Sequence, residues 1–170
     1  MSTNDSQKLL TYSMRFEGSV LSRGFWLYVW RITYSNDQYI YVGRTGDSSS
    51  ANAASPFHRI GQHLDFRSSA KGNSLSRQLR ALGIDPVLCS YEMLAIGPIF
   101  PEQKTMDRHR PVRDRVAALE KHLAIFLRQR GYQIIGTHAA STEVDPELWR
   151  RVVTAVSEKF PNLTLTQPLA

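Results

Sequence analysis

Apolar and polar positions alternate most clearly from Trp26 to Tyr34, where Trp26, Tyr28, Trp30, Ile32 and Tyr34 fall on one side of an extended chain. A polar turn at Ser35-Asn36-Asp37-Gln38 follows, and Tyr39-Ile40-Tyr41-Val42-Gly43-Arg44-Thr45 reads as a second strand, so the pattern predicts a hairpin. After a loop from Ser48 to Asn52 the period changes. Ser55-Pro56 offers an N-cap and a first-turn proline, and Phe57, Ile60 and Leu64 recur at helical spacing. A second short helix is predicted from Ser74 to Leu82, with Leu75, Leu79 and Leu82 on one side and Gly83 ending it. Val87 to Ile96, bounded by Asp85-Pro86 and Gly97-Pro98, reads as a third strand.

Pro98 to Pro111 reads as a charged connection, and the strongest helical pattern follows it from Val112 to Arg130. Val116, Leu119, Leu123, Phe126 and Leu127 form its apolar stripe, and Gly131 ends it. Gln133 to Ile135 predicts a short strand. Asp145-Pro146-Glu147 predicts the start of a last helix whose Leu148, Val152, Val156 and Phe160 dock on the domain. Met1 to about Thr11 reads as a polar tail, and Tyr12 to Gly24 carries no clear pattern. The organisation expected is a tail and lead-in over 1–24, one domain over 25–138, and a terminal helix over 139–170 packed on that domain.

A chain of 170 residues can bury a core without disulfides or a structural metal. Its single Cys89, beside Val87 and Leu88, reads as a core thiol in a reducing compartment. No apolar run is long enough for a membrane span and the first eight residues are too polar for a secretory signal, so the expectation is a soluble cytoplasmic protein without a membrane partner. The formal net charge of +6 favours a polyanionic partner. Arg67, Lys71, Arg77 and Arg80 cluster after the hairpin, and Arg108, Arg110, Arg113 and Arg115 before the long helix. Each cluster is either a nucleic-acid contact or a solvated face.

The two aromatic strands around a polar turn, with Tyr41-Val42-Gly43 in the second and a helix carrying Arg59 and His63 after it, resemble the core of the GIY-YIG nuclease superfamily. The register of the first strand stays open. Read without gaps, Trp30 stands where the tyrosine of the first triplet belongs; alternatively Trp26-Leu27-Tyr28 is that triplet and the hairpin is one residue longer on each side. In both readings residues 28 and 30 share a face, so Tyr28 offers either a hydroxyl to a site or a packing surface to the core.

Tyr41 begins the second triplet, and Gly43 permits close backbone approach or an unusual φ. Arg59 and His63 stand four apart and project from one helix face, as cation and proton acceptor or as solvated residues. Glu120 lies on or beside the apolar stripe of the long helix, four after Val116 and three before Leu123. A carboxylate there needs a cation, and either Arg59 or a divalent ion serves. In the resembling nucleases a glutamate on this helix is the metal ligand. The family's asparagine after that helix has Gly136 in its place here, with Gln133 or Thr137 as substitutes.

The resemblance implies an α/β (α+β) fold, a small mixed or antiparallel sheet flanked by helices. It implies an endonuclease with Tyr28, Tyr41, Arg59, His63 and Glu120 at its catalytic site, and with Glu120 holding Mg2+ or another divalent cation such as Mn2+. Arg44, Arg67, Lys71, Arg77 and Arg80 would contact nucleic acid, DNA in preference to RNA. The alternative is a non-catalytic nucleic-acid-binding or interaction module on the same fold. Nothing in the chain sets an oligomeric state.

Overall fold

In the computed structural model, which describes residues 9–67, 69–140 and 143–160, the elements run β1 (Phe25–Tyr34), β2 (Asp37–Arg44), α1 (Pro56–His63), α2 (Ser74–Ala81), β3 (Ser90–Phe100), α3 (Met106–Gln129), β4 (Ile134–Ile135) and α4 (Pro146–Lys159). Most of the predicted polar tail and the chain beyond Phe160 lie outside the described residues. The sheet order is β3-β1-β2-β4. β1 pairs antiparallel with β2 and β3, and β4 pairs parallel with β2, so the sheet is mixed and the fold is α+β.

The hairpin closes through Ser35-Asn36, with Tyr34 opposite Asp37. Ser35 has a φ of 53°, the left-handed conformation that two-residue hairpin turns use to match strand twist. β1 is central and buried on both faces, which its two sets of bulky side chains make possible. Phe25, Leu27 and Val29 join Ile40 and Val42 against Leu119, Leu123 and Leu127 of α3, with Val152 and Val156 of α4 and Phe160 completing that core. On the other face Tyr28, Trp30, Ile32 and Tyr39 pack with Leu75 and Leu79 of α2 and with Ile84. Three layers result: α3 and α4, the sheet, then α1 and α2.

The helix starts follow their caps. The Ser55 hydroxyl accepts from the His58 amide, and the Asp145 carboxylate accepts from the Leu148 amide. Two predicted boundaries differ. Val87 and Leu88 are not strand but a single 3-10 turn after Asp85, which leaves both side chains largely exposed; β3 begins at Ser90 and runs through Gly97-Pro98 to Phe100. Cys89, at the end of that turn, is only half-buried, with its thiol 3.6 Å from the Asp85 carbonyl, rather than in the core.

α3 starts at Met106 instead of Val112 and continues through Pro111, six residues before the predicted start. Pro111 cannot donate to the carbonyl of Asp107, an interruption that costs about 3 kcal/mol in a helix interior. His109 compensates. It is fully buried, its ring centroid stands 4.9 Å from that of Phe25, and its Nε2 lies 2.9 Å from the Asp47 carbonyl. The first turns of α3 are therefore held by tertiary contacts that the helical periodicity does not carry. Because Pro111 itself is exposed, Pro111→Ala should restore the helical hydrogen bond without loss of packing. It is expected to raise stability by about 1–2 kcal/mol in denaturant unfolding, the remainder being offset by the freer unfolded chain.

Candidate active site

Tyr28 stands opposite Gly43 across the hairpin. Its ring lies so close over that backbone that a Cβ at position 43 would meet its Cζ at 2.7 Å and its hydroxyl oxygen at 2.8 Å. Only glycine leaves room for it. The hydroxyl so placed lies 3.0 Å from the Arg44 carbonyl and 2.7 Å from His63 Nε2. Trp30, by contrast, stands opposite Tyr41 and packs edge-on against Tyr91, so of the two strand positions it is Tyr28 that brings a hydroxyl to the site.

Tyr41 projects from the same face of β2, with its hydroxyl 3.0 Å from Ser74 Oγ at the first position of α2. Gly136, with φ 93°, lies against the Tyr41 ring, where a Cβ would stand 3.2 Å from Cε2. Its role is to admit that ring. Gln133 and Thr137 are exposed and do not line the cavity, so neither acts as the hydrogen-bonding substitute that the sequence suggests. His138 instead lies 2.9 Å from the Val42 carbonyl, covering the edge of β2 where the two-residue β4 has ended.

Beyond this edge, groups from both sheet faces converge on a polar cavity of about 250 Å³. Tyr28 and Tyr41 enter from the α1 and α2 side, Glu120 from α3, Arg59 from α1, and Arg44 from the end of β2. The loop Gly46-Asp47-Ser48 forms the remaining wall, and Asp47 is held by Ser50 and by Asn52 at 3.0 and 3.1 Å. Arg59 spans the gap beside Tyr28. One of its terminal nitrogens donates to Gln62 Oε1 at 2.5 Å, while its buried Nε has no partner among the described residues.

Glu120 finds its cation in Arg44, whose Nε is 3.1 Å from Oε2, rather than in Arg59. Both side chains are more than four-fifths buried. Burial nevertheless outweighs the attraction of Arg44 and Arg59 and lifts the carboxyl to about 7. Burial likewise raises both tyrosines above their ordinary value, opposed at Tyr28 by Arg59 and at Tyr41 by the hydrogen bond to Ser74. His63 is not at the cavity edge as predicted. It is buried between the two tyrosines and Ser74, its Nδ1 3.0 Å from Ser74 Oγ, and burial together with Arg59 pushes it down to about 3, which makes it a neutral imidazole at ordinary pH.

Of the predicted nucleic-acid contacts, only Arg44 lines the cavity. Arg67 and Lys71 border a separate hollow beside α1, where Arg67 pairs with Asp65 at 2.5 Å. Arg77 is exposed on α2, and the Arg80 guanidinium sits 5.6 Å over the Phe66 ring. Arg113 of α3 lines a second polar hollow that shares Arg44 and Ser48 with the cavity. Sequence reasoning marked it only as a member of a basic cluster. Ser74 carried no signal beyond a helix start, and the Asp47 loop none at all.

No protein-family model matches the chain, and no curated protein or solved structure matches it.

Two outcomes test this geometry. Gly43→Ala should destabilise the protein by about 1–3 kcal/mol through forced displacement of the Tyr28 ring, and the penalty should vanish in a Tyr28→Ala background, measured by a double-mutant cycle in denaturant. Because the folded-state value of Glu120 lies above its unfolded value, the protein binds more protons folded than unfolded between pH 4.5 and about 7. Stability from this group is therefore present below pH 4.5 and is lost as pH rises through about 7, a loss on the order of 3 kcal/mol. The melting temperature of Glu120→Gln relative to wild type should accordingly rise between pH 5 and pH 8; a constant difference would show that the carboxyl is ionised throughout.

Proposed function

We propose that this protein is an endonuclease of the GIY-YIG type that hydrolyses phosphodiester bonds in DNA with the help of a divalent cation. The observation that carries this reading is the convergence of Glu120, Arg59, Arg44, Tyr41 and Tyr28, from two strands and two helices, on one small polar cavity. The site has the parts that hydrolysis of a phosphate diester needs: an anionic ligand, a cation with free donors, and hydroxyls close by.

Arg59 is the group that binds the scissile phosphate. Arg59 lines the cavity, and the fork geometry of its guanidinium suits hydrogen bonds to non-bridging oxygens, which strengthen as negative charge builds on the pentacoordinate phosphorus. Tyr41 orients the attacking water through its hydroxyl, and Tyr28 presents a second hydroxyl to the same cavity. Glu120 fits a hard cation: one carboxylate oxygen bonds Arg44, the other takes no protein hydrogen bond among the described residues, and Mg2+ commonly binds proteins through one or two carboxylates. Among the described residues no group of three or more ligating side chains exists, so water and substrate oxygens would have to fill most positions around the ion. When bound, Mg2+ or Mn2+ supplies Lewis-acid stabilisation of charge on the phosphate and the departing oxygen. Ionised Glu120 would hold it through the oxygen that Arg44 leaves free.

That contact also favours the second reading, a non-catalytic nucleic-acid-binding module. Arg44 already neutralises Glu120 as a metal would, and a site closed by an ion pair can bind a phosphate backbone without cutting it. No helix among the described residues is long and apolar enough to cross a membrane, which suits either reading.

Incubation with supercoiled plasmid, with Mg2+ or with EDTA, separates the two. Nicking or linearisation with Mg2+ alone is expected, abolished by Glu120→Gln and reduced about a hundredfold or more by Arg59→Ala. Salt-sensitive DNA binding with no cleavage under either condition would establish the binding module instead.

A further inference from the structure

The two tyrosines are joined beneath the cavity by an unbroken set of hydrogen bonds. Tyr41 Oη lies 3.0 Å from Ser74 Oγ, Ser74 Oγ 3.0 Å from His63 Nδ1, His63 Nε2 2.7 Å from Tyr28 Oη, and Tyr28 Oη 3.0 Å from the Arg44 carbonyl. The Arg44 carbonyl can only accept, so in the arrangement from which the relay starts Tyr28 donates to it. Every other hydrogen then has one place to go: His63 donates from Nε2 to Tyr28, Ser74 donates to Nδ1, and Tyr41 donates to Ser74. The opposite arrangement, in which Tyr28 donates to Nε2, Nδ1–H to Ser74, Ser74 to Tyr41 and Tyr41 into the cavity, keeps the chain between the two tyrosines intact and gives up only the bond from Tyr28 to the Arg44 carbonyl.

On the nuclease reading of this site, we propose that Ser74 and His63 form a two-ended proton relay between Tyr41 and Tyr28, with Ser74 as its positioning residue. As water attacks phosphorus, its proton passes to Tyr41 Oη and the Tyr41 proton to Ser74. The Ser74 proton passes to Nδ1, the Nε2 proton to Tyr28, and the Tyr28 proton, turned from the Arg44 carbonyl into the cavity, to the departing oxygen. One P–O bond forms and one breaks, one proton leaves water and one reaches the leaving group, and no member of the relay ends charged. His63 changes tautomer once. The reverse transfers, from Nδ1 through Ser74 and Tyr41 to cavity water and from cavity water through Tyr28 to Nε2, restore the starting arrangement.

Neutrality is what makes a relay necessary here. The His63 ring is 1% exposed, and the guanidinium of Arg59 stands on the cavity side of it. An imidazolium in that position would face a cation with no carboxylate in contact, so the ring is suited to passing a proton across and poorly suited to storing one. A purely structural network needs only one of the two arrangements, whereas a relay needs both to be populated.

Selective 15N labelling of histidine, with His63 assigned through His63→Gln, reads this directly. In the wild type both ring nitrogens should show shifts averaged between the two neutral tautomers from pH 8 down to pH 5. In Ser74→Ala they should collapse to the single tautomer protonated on Nε2, and Ser74→Thr should restore the average. On plasmid with Mg2+, Ser74→Ala should lower kcat about a hundredfold with KM unchanged and lose the multi-proton solvent isotope effect, while Ser74→Thr recovers both. An imidazolium at pH 5, a single tautomer in the wild type, or cleavage by Ser74→Ala at the wild-type rate would overturn the relay. A protein that cleaves nothing overturns the nuclease reading, and the tautomer response of His63 then still decides whether the two tyrosines are coupled.

Discussion

Burial of β1 on both faces is the constraint on which the remaining structure rests. A strand with Phe25, Leu27 and Val29 on one side and Tyr28, Trp30 and Ile32 on the other is stable only between two apolar layers, so α3 and α4 must cover one face and α1 and α2 the other. The site follows from the same requirement. Tyr28 belongs to the buried set, yet its hydroxyl needs hydrogen-bond partners, and it reaches them only because Gly43 lets the ring lie along the neighbouring strand toward the end of the sheet. Packing and chemistry are thus settled at one cross-strand pair.

Much of this was legible in the chain because it depends on short-range patterns. The hairpin, the capped starts of α1 and α4, and the buried stripe of α3 all rest on spacing and on residues that act locally. Glu120 was legible for a related reason, since a carboxylate beside an apolar stripe needs a cation wherever the helix docks. Which cation it finds was not legible. Arg44 ends the hairpin and Arg59 follows it, and the spacing alone does not decide that the former meets Oε2. His63 misled because four-residue spacing assigns a helix face but not a depth. It sits with Arg59 on one face, yet the approach of α2 buries it while Arg59 extends to the cavity. The early start of α3 escaped notice because Pro111 interrupts the local signal and His109 replaces it with contacts to residues far away in sequence.

On the nuclease reading, the ion pair of Glu120 and Arg44 sets stability against function. Burial of the carboxylate disfavours its charge, and the protein would gain from an uncharged residue at that position. Retaining a buried anion beside a polar cavity is understandable where the anion has a ligand to hold, because a bound cation recovers the desolvation cost. The cavity wall from Gly46 to Ser48 shows the complementary arrangement. Oδ2 of Asp47 accepts from Ser50 and Asn52, which shapes the loop from within while Asp47 still lines the cavity beside Glu120.

His109 ties that loop to the start of α3, and this gives the two a common fate in local opening. The helix ahead of Pro111 lacks an intact ladder and relies on a ring seated against Phe25 and bonded to the Asp47 carbonyl. Fraying of the first turns and loosening of the cavity wall are then a single event, lower in free energy than global unfolding and invisible to the core around Leu119 and Leu123. Slow amide exchange in residues 106–110 would consequently report on whether the cavity is filled, at a distance from anything that touches the occupant.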